Sequence, residues 1–135
     1  MKNMSWSSLL NDERLRRPDD TGTKGRSPFQ QDIDRIVFSS GFRRLAHKTQ
    51  VHPLADNDHI HTRLTHSVEV ASVGRSLGTI AGSEIAPRLG EKEITADAFG
   101  YIVQAARLAH DIGNPPFGHS GEASIGNYFK KTFEE

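Results

Sequence analysis

Cysteine is absent from this 135-residue chain, and no long apolar run occurs in it. Without cysteine the chain has no disulfides, no thiolate chemistry and no cysteine-ligated zinc site, which fits a reducing compartment. No stretch approaches the roughly 18 consecutive apolar residues of a membrane-spanning helix, so we expect no membrane partner. The segment from Met1 to Trp6 also lacks the apolar core of a signal peptide. These absences predict a cytoplasmic protein.

The chain also carries no net charge. The 17 basic and 17 acidic residues cancel, so the overall charge indicates no particular class of partner. Hydrophobic residues make up only 35% of the chain, which is low for a domain of this length. We therefore expect part of the chain to lie outside a packed core, or to pack against something else. Histidine, in contrast, is frequent, with seven residues.

Residues 1–27 are predicted to form an irregular, charged arm that is flexible or ordered by a partner. Its basic side chains could contact a phosphate or a single-stranded nucleic acid, although a solvated tail explains the composition more simply. These side chains are Arg14, Arg16, Arg17, Lys24 and Arg26.

Residues 28–135 are predicted to form an all-α domain, because apolar residues recur there at helical spacing. A first helix follows Phe29, and Gly41 is expected to interrupt the helical pattern. A second helix begins at Thr62, and Gly78, Gly82 and Pro87 are expected to end or bend it. We expect a loop or a short irregular strand from Val51 to His61.

The helix from Thr62 and the next one, from about Ile94 to Asp111, carry matching stripes spaced i, i+4, i+7, i+11. The first stripe is His66, Val70, Val73 and Leu77, and the second is Phe99, Val103, Ala106 and His110. If the helices pack antiparallel, the two histidines meet at one end of an apolar seam.

His66, His110 and Asp111 then supply two imidazoles and a carboxylate, a ligand set for one divalent cation. His110 and Asp111 diverge by about 100° around a helix axis, so both reach one ion only where the helix ends. The break at Gly113 and Asn114 provides such an end. The alternative is a hydrogen-bonded core histidine plus a helix-end pair favoured by the helix dipole. The spacing alone leaves both interpretations open.

Beyond the Pro115-Pro116 turn, a third helix is expected to begin near His119 or Ser120. His119 and Glu122 are then i, i+3 neighbours, suited to acid-base work because a carboxylate orients an imidazole and raises its pKa. Taken alone, the two residues are more simply a helix-start pair worth a few tenths of a kcal/mol.

Basic and polar residues near the first stripe could hold an anion, since arginine forks match phosphate oxygens. They are Arg43, Arg44, Lys48, Gln50 and Arg63. A solvated helix face is the alternative, and it suits Lys48 better than Arg63, which lies three residues before His66.

Three strings from this sequence occur together: F-R-R-L…K-T-Q-V, T-R-L-T-H-S-x-E-V and A-x-L-A-H-D-I-G-N-P-P-F-G-H-x-G-E. With them the chain resembles the deoxyguanosine triphosphate triphosphohydrolases, within the HD-domain metal-dependent phosphohydrolases, from about Ser27 to Tyr128. The resemblance implies an all-helical HD bundle and a homo-oligomer. It also implies hydrolysis of a deoxynucleoside triphosphate, dGTP preferred, to the deoxynucleoside and tripolyphosphate.

By motif position, the resemblance assigns His66, His110 and Asp111 as ligands of one divalent ion, Mg²⁺, Mn²⁺ or another transition metal. It assigns His119 as a catalytic histidine on the leaving-group side of the phosphate, with Glu122 as its paired carboxylate.

The resemblance further assigns Arg63 as a phosphate contact and Gln50 as a contact to sugar or base. Arg44, Lys48 and Asn114 join them as candidate substrate contacts. Asn114 stands in the G-N-P-P-F form of the dGTP-preferring branch, where other relatives carry histidine.

One departure from the family concerns its fourth metal ligand, an aspartate on a later helix, which has no counterpart in this sequence. Asp97 lies 13 residues before His110, about 220° around the helix, and so faces away. We therefore expect the chain to be the N-terminal portion of a longer enzyme, inactive alone. Two alternatives are another HD phosphohydrolase reaction and a nucleic-acid-binding or regulatory HD module without activity.

Overall fold

The computed structural model describes residues 5–12, 25–49, 61–89, 95–115 and 117–133. These ranges contain α1 (Trp6–Leu9), α2 (Pro28–Phe38), α3 (Ser40–Arg43), α4 (Arg63–Leu89), α5 (Ala96–Ala109) and α6 (Gly118–Phe133). A 3-10 helix, Arg44–His47, follows α3 directly. Within the described ranges, extended pairing is limited to an isolated antiparallel bridge between Thr49 and Thr62. The all-α prediction is confirmed.

Two serines set the boundaries of α2. Ser27 caps its start, accepting a bond from the Gln30 amide while the Gln30 side chain accepts from the Ser27 amide. Ser39 ends it with an extended backbone and caps α3 through the Phe42 amide. The expected interruption at Gly41 was therefore misplaced, because the chain breaks at Ser39 and Gly41 lies inside α3.

The start of α4 is fixed by reciprocal threonine bonds. Thr62 Oγ1 accepts from the Thr65 amide at 3.2 Å, and the Thr62 amide donates to Thr65 Oγ1 at 3.0 Å. The Arg63 amide also donates to the Lys48 carbonyl at 2.8 Å. The first residues of α4 are therefore positioned by hydrogen bonds within its first turn and by a hydrogen bond to the segment after the 3-10 helix.

α4 and α5 form the largest interface between described elements. A Cβ added at Gly74 would meet Val103 and Arg107, whereas one added at Gly82 would meet Ala96 and Phe99, so the helices run antiparallel, which is the arrangement that the meeting of the two histidines requires. The predicted contact stripe was wrong, however. The residues of α4 that are buried are Ser67, Ala71, Gly74, Gly78 and Gly82.

The glycines do not end α4, which continues through them to Leu89. A Cβ at Gly78 would lie 2.9 Å from the Phe99 carbonyl oxygen and 3.1 Å from the Gly100 Cα. Only residues without a side chain let the two backbones approach this closely. The larger Val73 and Leu77 are displaced to the flank, where each is 61% exposed. They line an open apolar groove of about 610 Å³.

The buried core lies where the 3-10 helix meets α4 and α5. It consists of Phe42, Leu45, Ala71 and Leu108, with α2 packed against it through Ile33, Ile36 and Val37. Leu45 is only 1% exposed. This core lies next to the ends of α4 and α5 that carry the predicted metal ligands.

α6 has no extensive interface with another described element. Its apolar side chains are exposed, with Tyr128 at 65% and Phe133 at 81%. At the other end of the chain, Trp6 packs edge-on against Phe99 with ring centroids 5.8 Å apart. Part of the predicted arm therefore contacts α5.

Of the basic residues predicted to make the arm a nucleic-acid contact, only Arg26 lies in the described ranges, and it pairs with Asp34. Arg14, Arg16, Arg17 and Lys24 lie outside them, as does most of the loop predicted from Val51 to His61. No described helix is both long enough and apolar enough to cross a membrane.

Candidate metal centre

The paired ends of α4 and α5 bring His66, His110 and Asp111 together. One ligand atom from each lies within 4.8 Å of the others. The two imidazole centroids are 5.6 Å apart, and His110 Nε2 lies 3.6 Å from Asp111 Oδ2. The convergence inferred from the spacing of the two stripes is therefore present in the fold.

Local structure explains why the adjacent His110 and Asp111 both face His66. α5 ends at Ala109, so these residues lie in the turn beyond it. His110 Nδ1 lies 2.5 Å from the Arg107 carbonyl oxygen, which fixes the ring and leaves Nε2 for a ligand. Gly113, at φ +88°, then turns the chain away in a conformation that glycine tolerates best.

The two oxygens of the Asp111 carboxylate have different surroundings. Oδ1 accepts hydrogen bonds from Arg63 Nη1 at 3.1 Å and Asn114 Nδ2 at 2.7 Å. Oδ2 is buried and has no hydrogen-bond partner among the described residues. A buried carboxylate oxygen without a partner is costly.

A cation would satisfy that oxygen. The donor set, two imidazole nitrogens and one carboxylate oxygen, suits a divalent transition metal and also accommodates Mg²⁺ with added water. The residues present therefore fit a divalent ion. His66, His110 and Asp111 would hold it, while Arg63 and Asn114 donate hydrogen bonds to the other carboxylate oxygen, Oδ1.

The predicted substrate contacts separate into three groups. Arg63, Lys48 and Asn114 lie together beside Asp111, since Lys48 Nζ donates to the Asn114 carbonyl at 3.1 Å. Arg44 is exposed at the start of the 3-10 helix, with no contact to the metal cluster among the described residues. Gln50 lies outside the described ranges.

His119 and Glu122 form the predicted pair on the first turn of α6. His119 Nδ1 lies 3.0 Å from Glu122 Oε2, and the His119 side chain is 99% exposed. Among the described residues, neither side chain contacts the metal cluster. The turn before α6 includes Phe117 at φ +69°, a left-handed conformation that is unusual for a bulky residue.

A second cluster, which the sequence analysis missed, adjoins the first. His61, His66 and Glu69 also bring one ligand atom each within 4.8 Å of one another. His61 directly precedes the threonine cap of α4, and His66 and Glu69 are i, i+3 neighbours on the helix. That i, i+3 spacing was the available signal; the position of His61 depends on the cap.

Comparison with known proteins shows which family the chain matches. The HD domain profile matches residues 63–135. The chain is 58% identical over 130 residues to a deoxyguanosinetriphosphate triphosphohydrolase-like protein of Pseudomonas aeruginosa (strain LESB58), covering 96% of this chain and 29% of that protein.

Two further relatives carry the same description. The one from Synechocystis (strain PCC 6803) is 50% identical over 131 residues, 96% of this chain and 30% of the relative. The one from Listeria innocua serovar 6a is 45% identical over 133 residues, 94% of this chain and 29% of the relative. The chain thus spans less than a third of the length of these curated relatives.

The HD domain match covers more than half of the chain and contains the whole cluster of His66, His110 and Asp111. It also contains the paired His119 and Glu122. On this evidence, the chain belongs to the HD domain family.

Proposed function

We propose that this chain contributes the metal site of a phosphohydrolase acting on deoxynucleoside triphosphates, with dGTP preferred. The products would be the deoxynucleoside and tripolyphosphate. The observation that supports this most strongly is the buried Oδ2 of Asp111, which accepts no hydrogen bond from the described residues and lies 3.6 Å from His110 Nε2. The relatives described as deoxyguanosinetriphosphate triphosphohydrolase-like support the substrate class.

His66, His110 and Asp111 would hold the divalent ion. When bound, such an ion supplies Lewis acidity that stabilises negative charge on phosphoryl oxygens. Arg63 and Asn114 hold the Asp111 carboxylate by its Oδ1, which directs Oδ2 toward the imidazoles. A carboxylate held in this way loses little conformational freedom on binding a cation.

Arg63 and Lys48 supply positive charge beside the same site. The Arg63 side chain is 23% exposed, so its guanidinium lies near solvent while it contacts Asp111. Lys48 is exposed and contacts the turn at Asn114. We propose that both neutralise the triphosphate, Arg63 through its planar fork and Lys48 as a point charge. Arg44, Gln50 and Asn114 stay predictions as substrate contacts.

His119 is proposed as the group that protonates the departing 5′ oxygen of the nucleoside. Glu122, at 3.0 Å, keeps the imidazole oriented through Nδ1, which leaves Nε2 for the substrate. Proton transfer from a positioned side chain contributes roughly 10²–10⁴-fold to rate.

Product analysis tests this proposal. The longer enzyme that is predicted to contain this chain is incubated with dGTP and Mn²⁺, and the products are separated by anion-exchange chromatography. Tripolyphosphate and deoxyguanosine in equal amounts are expected, and the His110→Ala variant should release neither. Release of orthophosphate from dGTP instead would identify a different HD reaction, and so would hydrolysis of a cyclic nucleotide to a linear one in a parallel incubation.

The cytoplasmic location, a homo-oligomer and single-stranded nucleic acid as a partner stay predictions from the sequence. The chain's relation to a longer enzyme with a fourth, aspartate ligand stays one too.

A further inference from the structure

We infer that His61, His66 and Glu69 form a second divalent-cation site on the outer side of the proposed metal centre. Their ligand atoms lie within 4.8 Å of one another, and the His61 and His66 ring centroids are 5.8 Å apart. His61 Nε2 lies 3.6 Å from Glu69 Oε2. The site requires only these positions, so it does not depend on the proposed hydrolytic activity.

The local fold presents the three side chains together. The reciprocal Thr62–Thr65 bonds fix the angle at which the chain enters α4. The bridge between Thr49 and Thr62 holds the same point from outside the helix. His61 is therefore anchored through its backbone beside the first turn, where His66 and Glu69 project from one face of α4.

The donor set selects the class of ion. Two imidazoles and one carboxylate suit Mn²⁺, Co²⁺ or Zn²⁺ better than Ca²⁺, which prefers oxygen ligands alone. Ligand atoms at about 2.1 Å from an ion are at most about 4.2 Å apart. The ligand atoms of the cluster are up to 4.8 Å apart, so a small rotation of the exposed side chains brings them within this limit. Water would complete the coordination.

The two clusters share His66 and differ sharply in exposure. The side chains of Glu69 and His61 are 65% and 45% exposed, whereas that of Asp111 is 8% exposed. An ion arriving from solvent thus meets the outer ligands before it reaches Asp111. The shared histidine links the outer site to the inner one, which gives the buried site an entry path.

A cobalt titration in a protein without the inner ligands tests the outer site. The His110→Asn/Asp111→Asn double variant removes two inner ligands and leaves the outer cluster intact. We expect it to bind one Co²⁺ per chain, seen by calorimetry and by the visible absorption of Co²⁺. Adding Glu69→Gln or His61→Asn should weaken that binding at least about 10-fold.

The matched control is Glu84→Gln in the same background. Glu84 is also an exposed glutamate of α4, but its partner is Arg88 rather than a histidine. It should leave Co²⁺ affinity unchanged. A double variant that binds no Co²⁺, or whose binding is as insensitive to Glu69→Gln as to Glu84→Gln, overturns the inference.

If far-UV circular dichroism shows the double variant unfolded, the wild-type protein serves instead. It is titrated with diamagnetic Zn²⁺ to beyond one equivalent while the histidine ring signals are followed by NMR. A chemical-shift change of the His61 signals that Glu69→Gln abolishes supports the outer site, and His61 signals that stay unchanged throughout the titration contradict it. If the outer site binds metal in these ways but the longer enzyme that contains this chain releases no tripolyphosphate from dGTP, the proposed function is refuted and the outer site stands.

Discussion

The metal cluster and the His119–Glu122 pair lie in opposite kinds of environment. Asp111 is 8% exposed, follows the end of α5 and pairs with Arg63 at the start of α4. His119 is 99% exposed on α6, which has no extensive interface with the other described helices. The cluster is thus built by tertiary packing, whereas the pair is built by the i, i+3 geometry of one helix.

This difference shows how much of each site the described residues supply. The cluster is oriented by bonds from three separate segments: Arg63 at the start of α4, Arg107 in α5 and Asn114 in the turn. The pair has a single internal contact at 3.0 Å. Changes in the cluster should therefore affect metal binding, and changes in the pair should affect catalysis alone.

The largest expected effect comes from Asp111→Asn, which keeps the size of the side chain but removes its charge. We expect Mn²⁺ affinity to fall by more than about 100-fold and turnover of dGTP by the longer enzyme that contains this chain to be lost, since a ligand matters more than an outer-sphere partner. Isothermal calorimetry and tripolyphosphate release measure the two effects. Asp97→Asn, in the exposed first turn of α5, is the control and should change neither.

His119→Ala should leave Mn²⁺ affinity unchanged and lower kcat by roughly 10²–10⁴-fold, the range for general acid-base catalysis. Ser120→Ala, at the neighbouring exposed position, is the control and should retain wild-type kcat. A normal kcat in His119→Ala would remove this residue from the mechanism. A loss of metal affinity would show that the two regions are not separable.

Asn114→Ala should weaken Mn²⁺ binding by about 10–100-fold, because Asp111 Oδ1 would lose its 2.7 Å partner. The KM for dGTP at saturating Mn²⁺ should change little if this residue acts on the carboxylate rather than on the substrate. Asn127→Ala on the exposed face of α6 is the matched control. If KM rises while metal affinity stays constant, Asn114 is a substrate contact instead.

The last comparison concerns stability and makes the same substitution in α4, which is packed, and in α6, which is exposed. Gly78→Ala should destabilise the fold by about 1–3 kcal/mol, because its Cβ would lie 2.9 Å from the Phe99 carbonyl oxygen. Gly126→Ala in α6 meets nothing within 4 Å and should stabilise by up to about 1 kcal/mol through helix propensity. Urea unfolding measures both. Equal effects would contradict the packing described for α4 and α5.

The sequence was sufficient to predict the all-α class and, on the condition that α4 and α5 pack antiparallel, the meeting of His66 with His110. These follow from helical spacing and short connections, which are local properties of the chain. The contact face of α4 was predicted incorrectly. The prediction assumed that the most hydrophobic stripe, with Val73 and Leu77, forms the contact. The contact face is instead formed by glycines, because only they allow the two backbones to approach closely, and a hydrophobicity pattern does not detect them.

Two features of the site could not be predicted from spacing. Asn114 was expected to contact substrate, and its bond to Asp111 depends on a turn at Gly113 whose conformation the sequence does not specify. The outer cluster depends on the threonine cap, which sets the direction of the backbone at His61, just before α4. In both cases the decisive factor is a backbone direction outside regular helix.

The central claim is that His66, His110 and Asp111 hold one divalent cation, and crystals grown with Mn²⁺ test it most directly. An anomalous difference map should show a peak within about 2.4 Å of both imidazole nitrogens and of Asp111 Oδ2. A well-ordered map with all three side chains visible and no peak between them would contradict the account.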